Sequence, residues 1–326
     1  MALSETAAAG WPQRLLHAKR EVVLLAAIVV IGGFFATASP YFLTVDNLTT
    51  TLRNSVDLAI ISAGMTLVIV SGSIDVSVGG VLAVSAIFIG RGFQWGLPAP
   101  GVVLLGLAVG TALGTVNGAV VAKAKVPPII ATLGTMYVFL AVLFLVIGGE
   151  WISGLPDTLS PLVSGDLLGL PVPLYLIAVV YGVCYLLLRH HPFGRHLYAI
   201  GSNEHAARLA GIAVDRVKMQ VYALLGFLAG TGALIYVARL RNVEVNIGTT
   251  IALEAIAAVI LGGANIRGGV GSLLGALLGV LFIKMIQNGL VLIGVSSLWE
   301  TVVIGGLLIV VLTADALKHG GPQRAQ

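Results

Sequence analysis

The chain has 326 residues, of which 58% are hydrophobic and only 10% charged, and its mean hydropathy is +1.03. This composition excludes an ordinary soluble globule and specifies an integral membrane protein. The net charge of +4 is no nucleic-acid signal, because its basic residues are scattered between apolar runs, and the lone Cys184 permits neither an intrachain disulfide nor a cysteine metal site.

The first stretch, MALSETAAAGWPQRLLHAKR, places basic residues before an apolar run long enough to span, so it is read as a cytoplasmic segment (1–20) rather than a cleaved leader. A crossing needs about 20 apolar residues. Ten are expected, at 21–39, 55–72, 75–92, 99–121, 128–147, 173–189, 217–238, 251–263, 271–292 and 297–314. The eighth is too short to cross alone as a straight helix. The expected fold is therefore an all-α polytopic membrane domain over 21–314, followed by a cytoplasmic tail at 315–326.

Basic residues set the orientation. With the N-terminus inside, the inner segments hold thirteen Lys and Arg and the outer segments four, namely Arg53, Arg91, Arg239 and Arg241. The long segment 148–172 carries Glu150, Asp157 and Asp166 but no Lys or Arg, as expected outside. The charged stretch His190–Lys218 then faces the cytoplasm, and both termini do too. Within it, Asn203 is suited to cap a helix from Glu204 to about Ala210, with Gly211 as the stop. Ala206, Ala207 and Ala210 beside Leu209 would give that helix a low-relief surface for a partner's groove.

An internal repeat is present. Ile74–Ile87 (IDVSVGGVLAVSAI) aligns with Val243–Ile256 (VEVNIGTTIALEAI), matching Asp75 to Glu244 and Gly79 to Gly248. Farther on, Asn117-Gly118 matches Asn288-Gly289, and Gly134 matches Gly305. Spans two to five thus echo spans seven to ten. An odd number of spans separates the copies, so their orientations are opposite, a transporter signature. Glycines four apart (Gly110, Gly114, Gly118 and Gly271, Gly275, Gly279) predict close helix packing.

Polar and ionisable groups inside spans are costly and face protein or a polar path. Asp57, Asp75, Glu254, Lys284, Asn288 and Glu300 are the candidates. Asp75 is expected to support a turn with Ser73 and Ser77, and Lys284 to find a carboxylate such as Glu300. Neither a G-x-x-x-x-G-K-[ST] loop nor a nucleophile motif occurs, so an enzyme is not expected and energy must enter from another chain.

At PFGRHLYAIGSNEHAARLAGIAVDRVK, ALEAIAAVILGGANIRGGVGSLLGALLGVL, IQNGLVLIGVSS, SIDVSVGGVLAVSA and IIATLGTMY, the chain resembles the permease subunits of carbohydrate-type ABC importers, the ribose, xylose, rhamnose and autoinducer-sugar branch. The resemblance covers roughly 45–315. It implies a second permease subunit, a cytoplasmic ABC ATPase that carries ATP and Mg, a periplasmic sugar-binding protein, and a place in the bacterial inner membrane. It assigns the coupling segment, within 190–216, to Gly201, Asn203, Glu204, Ala206, Ala207, Arg208, Leu209 and Gly211. Arg239, Arg241 and Glu244 are the candidate contacts with the binding protein. The chain departs from the ribose pattern at Ala252 and Glu254. Two other readings compete: a proton-coupled carrier using Asp57, Glu254, Lys284 and Glu300, and an ABC permease for branched-chain amino acids.

Overall fold

The computed structural model describes residues 10–148, 150–244 and 246–296, with isolated positions between 299 and 313. Nine of the ten expected spans coincide with helices: α1 (Gly10–Ala38), α3 (Val56–Val70), α4 (Val78–Gln94), α5 (Ala99–Ala122), α6 (Pro128–Ile147), α8 (Val172–Arg189), α11 (Val214–Leu240), α12 (Ile251–Leu261) and α13 (Leu273–Leu292). The tenth, 297–314, lies outside the continuously described residues. Shorter helices fill the connections: α2 (Val45–Arg53), α7 (Pro161–Ser164), α9 (Pro192–Ser202) and α10 (Glu204–Leu209). Among the described residues the only sheet is a two-residue hairpin pairing Asp166–Leu167 with Leu170–Pro171.

Six helices are long and apolar enough to cross a membrane alone: Glu21–Ala38 within α1, and α5, α6, α8, α11 and α13. α2 and α3 together make a seventh, bent by 48°. α12 is short, as expected of the eighth span, and α4 is shorter than the full spans too, so among the described residues long spans alternate with shorter apolar helices. The helix ends follow from local chemistry. Pro128 sits in the first turn of α6, where its missing N–H costs nothing, and Gly148 ends it at φ +72°. Ser272 caps α13 by accepting from the Gly275 amide at 3.1 Å.

α3 is the axis of the fold. All fifteen of its residues are buried, which explains why it is apolar on every face instead of along one stripe. It packs on α11, the helix corresponding to it in the second repeat. The remaining contacts are reciprocal: α3 also packs on α12 and α13, while α11 packs on α4 and α5. Such mutual exchange is what a two-fold relation between the copies produces.

Glycine permits the closest of these approaches. On α5, a Cβ at Gly110 or Gly114 would strike the backbone of α11 at Gly226, Gly230 or Tyr222. Gly275 and Gly279 of α13 meet Gly262 and Ala258 in the same way. Both expected staircases are therefore packing surfaces, backbone against backbone at Gly110, Gly114, Gly275 and Gly279 and against the Val70 side chain at Gly271.

Candidate functional site

Two sets of polar residues stand out against this apolar frame. The first is intramembrane. Asp57, in the first turn of α3, accepts from Arg239 Nη2 at 2.8 Å. The Asp57 side chain is 7% exposed and that of Arg239 20% exposed, so the pair ties the two repeats from inside. Arg239 also lies 5.9 Å from the centroid of the Tyr236 ring.

Asp75 lies in the non-helical break between α3 and α4. Its Oδ1 accepts from the Ser77 amide (2.8 Å) and the Ser77 hydroxyl (2.6 Å). Asn117 of α5 reaches over and donates to Ser77 Oγ at 2.6 Å and to Asp75 Oδ2 at 3.4 Å. Buried irregular backbone in a membrane protein needs such internal partners, because lipid supplies none. Asp75 is thus engaged with Ser77, as expected, and with Asn117 in place of Ser73.

Lys284 donates to Glu254 at 3.1 Å, and Gln287 approaches the same carboxylate at 3.4 Å. Among the described residues the partner of Lys284 is therefore Glu254, one helix away; Glu300, the expected partner, lies outside them. The sequence alone could not choose between them, since carboxylates lie on either side of Lys284 along the chain. Asn288, the repeat counterpart of Asn117, exchanges hydrogen bonds of 2.8 and 2.9 Å with Asn47 of α2. Lys284 and Asn288 border a cavity of about 540 Å³ between α1, α2 and α13.

The second set is the charged segment before α11. Asn203 caps α10, its Oδ1 accepting from the Ala206 amide at 2.9 Å, and Gly211 takes φ +82° beyond the helix end. The expected helix is present. A second one, α9, precedes it, opened by Pro192 and by His191 Nδ1 accepting from the Phe193 amide at 3.2 Å.

An ionic chain fixes α10. Glu204 pairs with Arg208 at 2.8 Å and Lys218 at 2.6 Å, Arg208 continues to Asp215 at 2.5 Å, and Asp215 continues to Lys125 at 2.6 Å. Burial pushes the Glu204 carboxyl up, but the hydrogen bonds from Lys218 and Arg208 outweigh it and hold the group below its ordinary range. Lys125 follows α5 and Lys218 begins α11, so the chain of charges links α10 to both repeats.

One expected surface residue of this segment is internal, and Gly201 is closely packed. Ala207 is 4% exposed, whereas Leu209 is 78% exposed and His205, Ala206 and Ala210 are open. Gly201 has no room for a side chain, because a Cβ there would strike the Val70 carbonyl and the Gly269 amide. The Gly-rich stretch 262–271 supplies that wall. Gly269 donates to the Val70 carbonyl at 2.9 Å, and Tyr198 of α9 donates to the Gly271 carbonyl at 3.0 Å. In sequence this Gly-rich stretch lacks the Lys-Ser/Thr ending of a nucleotide loop; its pairs of glycines were the signal for a crossing of backbones.

On the opposite side, Arg239 is turned inward on Asp57. Arg241 ends α11 at φ +54°, donates to the Leu155 carbonyl at 3.2 Å and lies 3.7 Å from Asp157. Glu244 lies 3.5 Å from the amide of Asn242.

A family model described as branched-chain amino acid transport system / permease component matches residues 47–312. The chain belongs to this permease family. The ribose import permease of Haemophilus influenzae is 36% identical over 89% of this chain and 91% of its own length. That of Bacillus subtilis is 39% identical over 86% of this chain and 88% of its own length. An autoinducer 2 import permease of an Enterobacter species is 34% identical over 91% and 93%. No solved structure matches the chain. In this permease the inverted repeat, the buried ion pairs and the charged segment α9–α10 all fall inside the region that the family model covers.

Proposed function

We propose that this permease forms one half of the pathway of an ATP-driven sugar importer in the bacterial inner membrane, with both termini cytoplasmic. A periplasmic binding protein delivers the sugar. A second permease, a copy or a sister chain, completes the path. ATP and Mg²⁺ are held by a partner ATPase, against which the exposed residues of α10 dock. The supporting observation is similarity to ribose and autoinducer 2 import permeases along nearly their whole length.

The physical task is to hold two packings of the bundle close in free energy, so that ligand and nucleotide can bias them. α10 is suited to carry the bias. Its charges reach α11 and the end of α5, and Gly201 at the end of α9 abuts the inner end of α3. Movement of this short segment would therefore act on the first helices of both repeats at once.

The test is uptake by the purified permease reconstituted with its cognate ATPase and binding protein. ATP-dependent accumulation of D-ribose or a related sugar, insensitive to an uncoupler, is expected. Uptake abolished by the uncoupler without loss of ATP would identify a proton-coupled carrier. Uptake of leucine but no sugar would move the chain to the amino-acid branch of its family.

A further inference from the structure

In the repeat alignment Gly79 corresponds to Gly248, and the structure brings these two residues together. Each glycine's missing Cβ would strike the carbonyl oxygen of the other. Equivalent residues that touch reciprocally lie on the two-fold relating them. For an inverted repeat that axis runs in the membrane plane, so the contact marks the middle of the bilayer.

Two independent rulers agree. A Cβ at the neighbouring Gly80 would lie 3.1 Å from Phe139 Cβ, midway along the full-length span α6. α12 begins at Ile251, three residues past Gly248, and its 11 residues extend about 16 Å, half of a hydrocarbon core of roughly 30 Å. A helix that starts at the midplane needs no more.

The two copies differ at this depth. In the first, Asp75, Ser77, Gly80 and Val81 are all buried in protein. In the second, Asn246, Thr249 and Thr250 are exposed on non-helical backbone, and their side chains have no hydrogen-bond partner among the described residues. Irregular backbone at mid-membrane is tolerated only against protein or a water-filled cavity, and bare polar side chains there do not face lipid.

We infer that Asn246, Thr249 and Thr250 form a polar wall of the water-filled path and offer hydrogen bonds to an uncharged, hydroxyl-rich solute. The chemistry fits that class: two hydroxyls and an amide donate and accept, whereas the exposed tips carry no charge that would select an ion. The solute class rests on the proposed sugar importer; the location of the path does not.

Thiol accessibility tests the location without any substrate. In a Cys184→Ala background, Asn246→Cys, Thr249→Cys and Thr250→Cys are compared with Leu145→Cys, which is 83% exposed on α6, and with Val81→Cys, the buried repeat counterpart of Thr250. Membranes containing the whole importer are treated with a charged, membrane-impermeant methanethiosulfonate. Labelling at positions 246, 249 and 250 at least tenfold faster than at 145 and 81 is expected. Rates at 249 and 250 equal to that at 145 would overturn the inference. The double variant Thr249→Val, Thr250→Val keeps the shape and removes both hydroxyls. It is expected to slow D-ribose uptake at least tenfold while Asn246→Cys in the same chain still labels. Unchanged uptake would overturn the hydrogen-bonding role. Fast labelling in an importer whose unaltered form takes up no sugar would refute the proposed cargo and leave the path standing.

Discussion

Gly79 and Gly248 occupy equivalent places in the two halves of the chain, and each excludes a side chain from the other. Neither half can be repacked locally without the other, because the collision is between backbones, which cannot rotate away. Gly248 adds a second constraint, a φ of +80° that side chains of L-residues rarely adopt.

Gly79→Ala and Gly248→Ala are therefore expected to destabilise the fold by about 1–3 kcal/mol each, the range of an overpacked core. Gly134→Ala serves as the control. It lies within α6 with no atom near its missing Cβ, and helix propensity alone predicts a gain of about 0.5–1 kcal/mol. Thermal unfolding of the detergent-purified variants would order them Gly134→Ala, unaltered chain, then the other two.

The Asp57–Arg239 pair joins the first turn of α3 to the last turn of α11. Removing one charge leaves the other buried, which costs about 3–5 kcal/mol in protein interiors. Asp57→Asn and Arg239→Gln should each lower the unfolding temperature. The double variant Asp57→Asn, Arg239→Gln should recover part of the loss, since no buried charge remains. A double-mutant cycle with no coupling would show that the pair is not formed in the membrane.

Docking of a partner on α10 is best probed at its exposed face. Leu209→Asp is expected to abolish copurification of the ATPase while leaving a monodisperse, correctly inserted permease. Ala207→Trp is unsuitable as a probe because Ala207 is buried, and its bulk should destabilise α10 itself. Full ATPase binding by Leu209→Asp would exclude this face.

The Glu204 carboxyl is held below its ordinary value of 4.5 by Lys218 and Arg208. Its ion pairs therefore contribute stability above pH 4.5, and the contribution disappears as pH falls through the lower folded value. The group is partly exposed, so the effect is local and screened by salt. Hydrogen exchange at the α10 amides should accelerate on acidification beyond the intrinsic pH dependence. In Glu204→Gln that extra acid-induced acceleration should be absent, with α10 less protected at neutral pH.

What the sequence determined by itself was the material of each part. Apolar length gave the spans, Asn203 and Gly211 marked the ends of α10, and the matched residues Asp75 with Glu244 and Gly79 with Gly248 disclosed two copies in opposite orientation. These features are local or periodic, so a single chain displays them. Pairing was decided only by the tertiary structure. Lys284 had carboxylates available on either side in sequence, and the packing of α12 on α13 chose Glu254. Ala207 and Leu209 are both apolar and two residues apart, yet the docking of α10 buries one and exposes the other. Arg239, a charge expected to face outward, turns in because Asp57 waits at the end of α3. The physical reason is common to all three. Periodicity fixes which face of a helix a residue occupies, but the partner of that face is set by which helices the glycine contacts allow to touch.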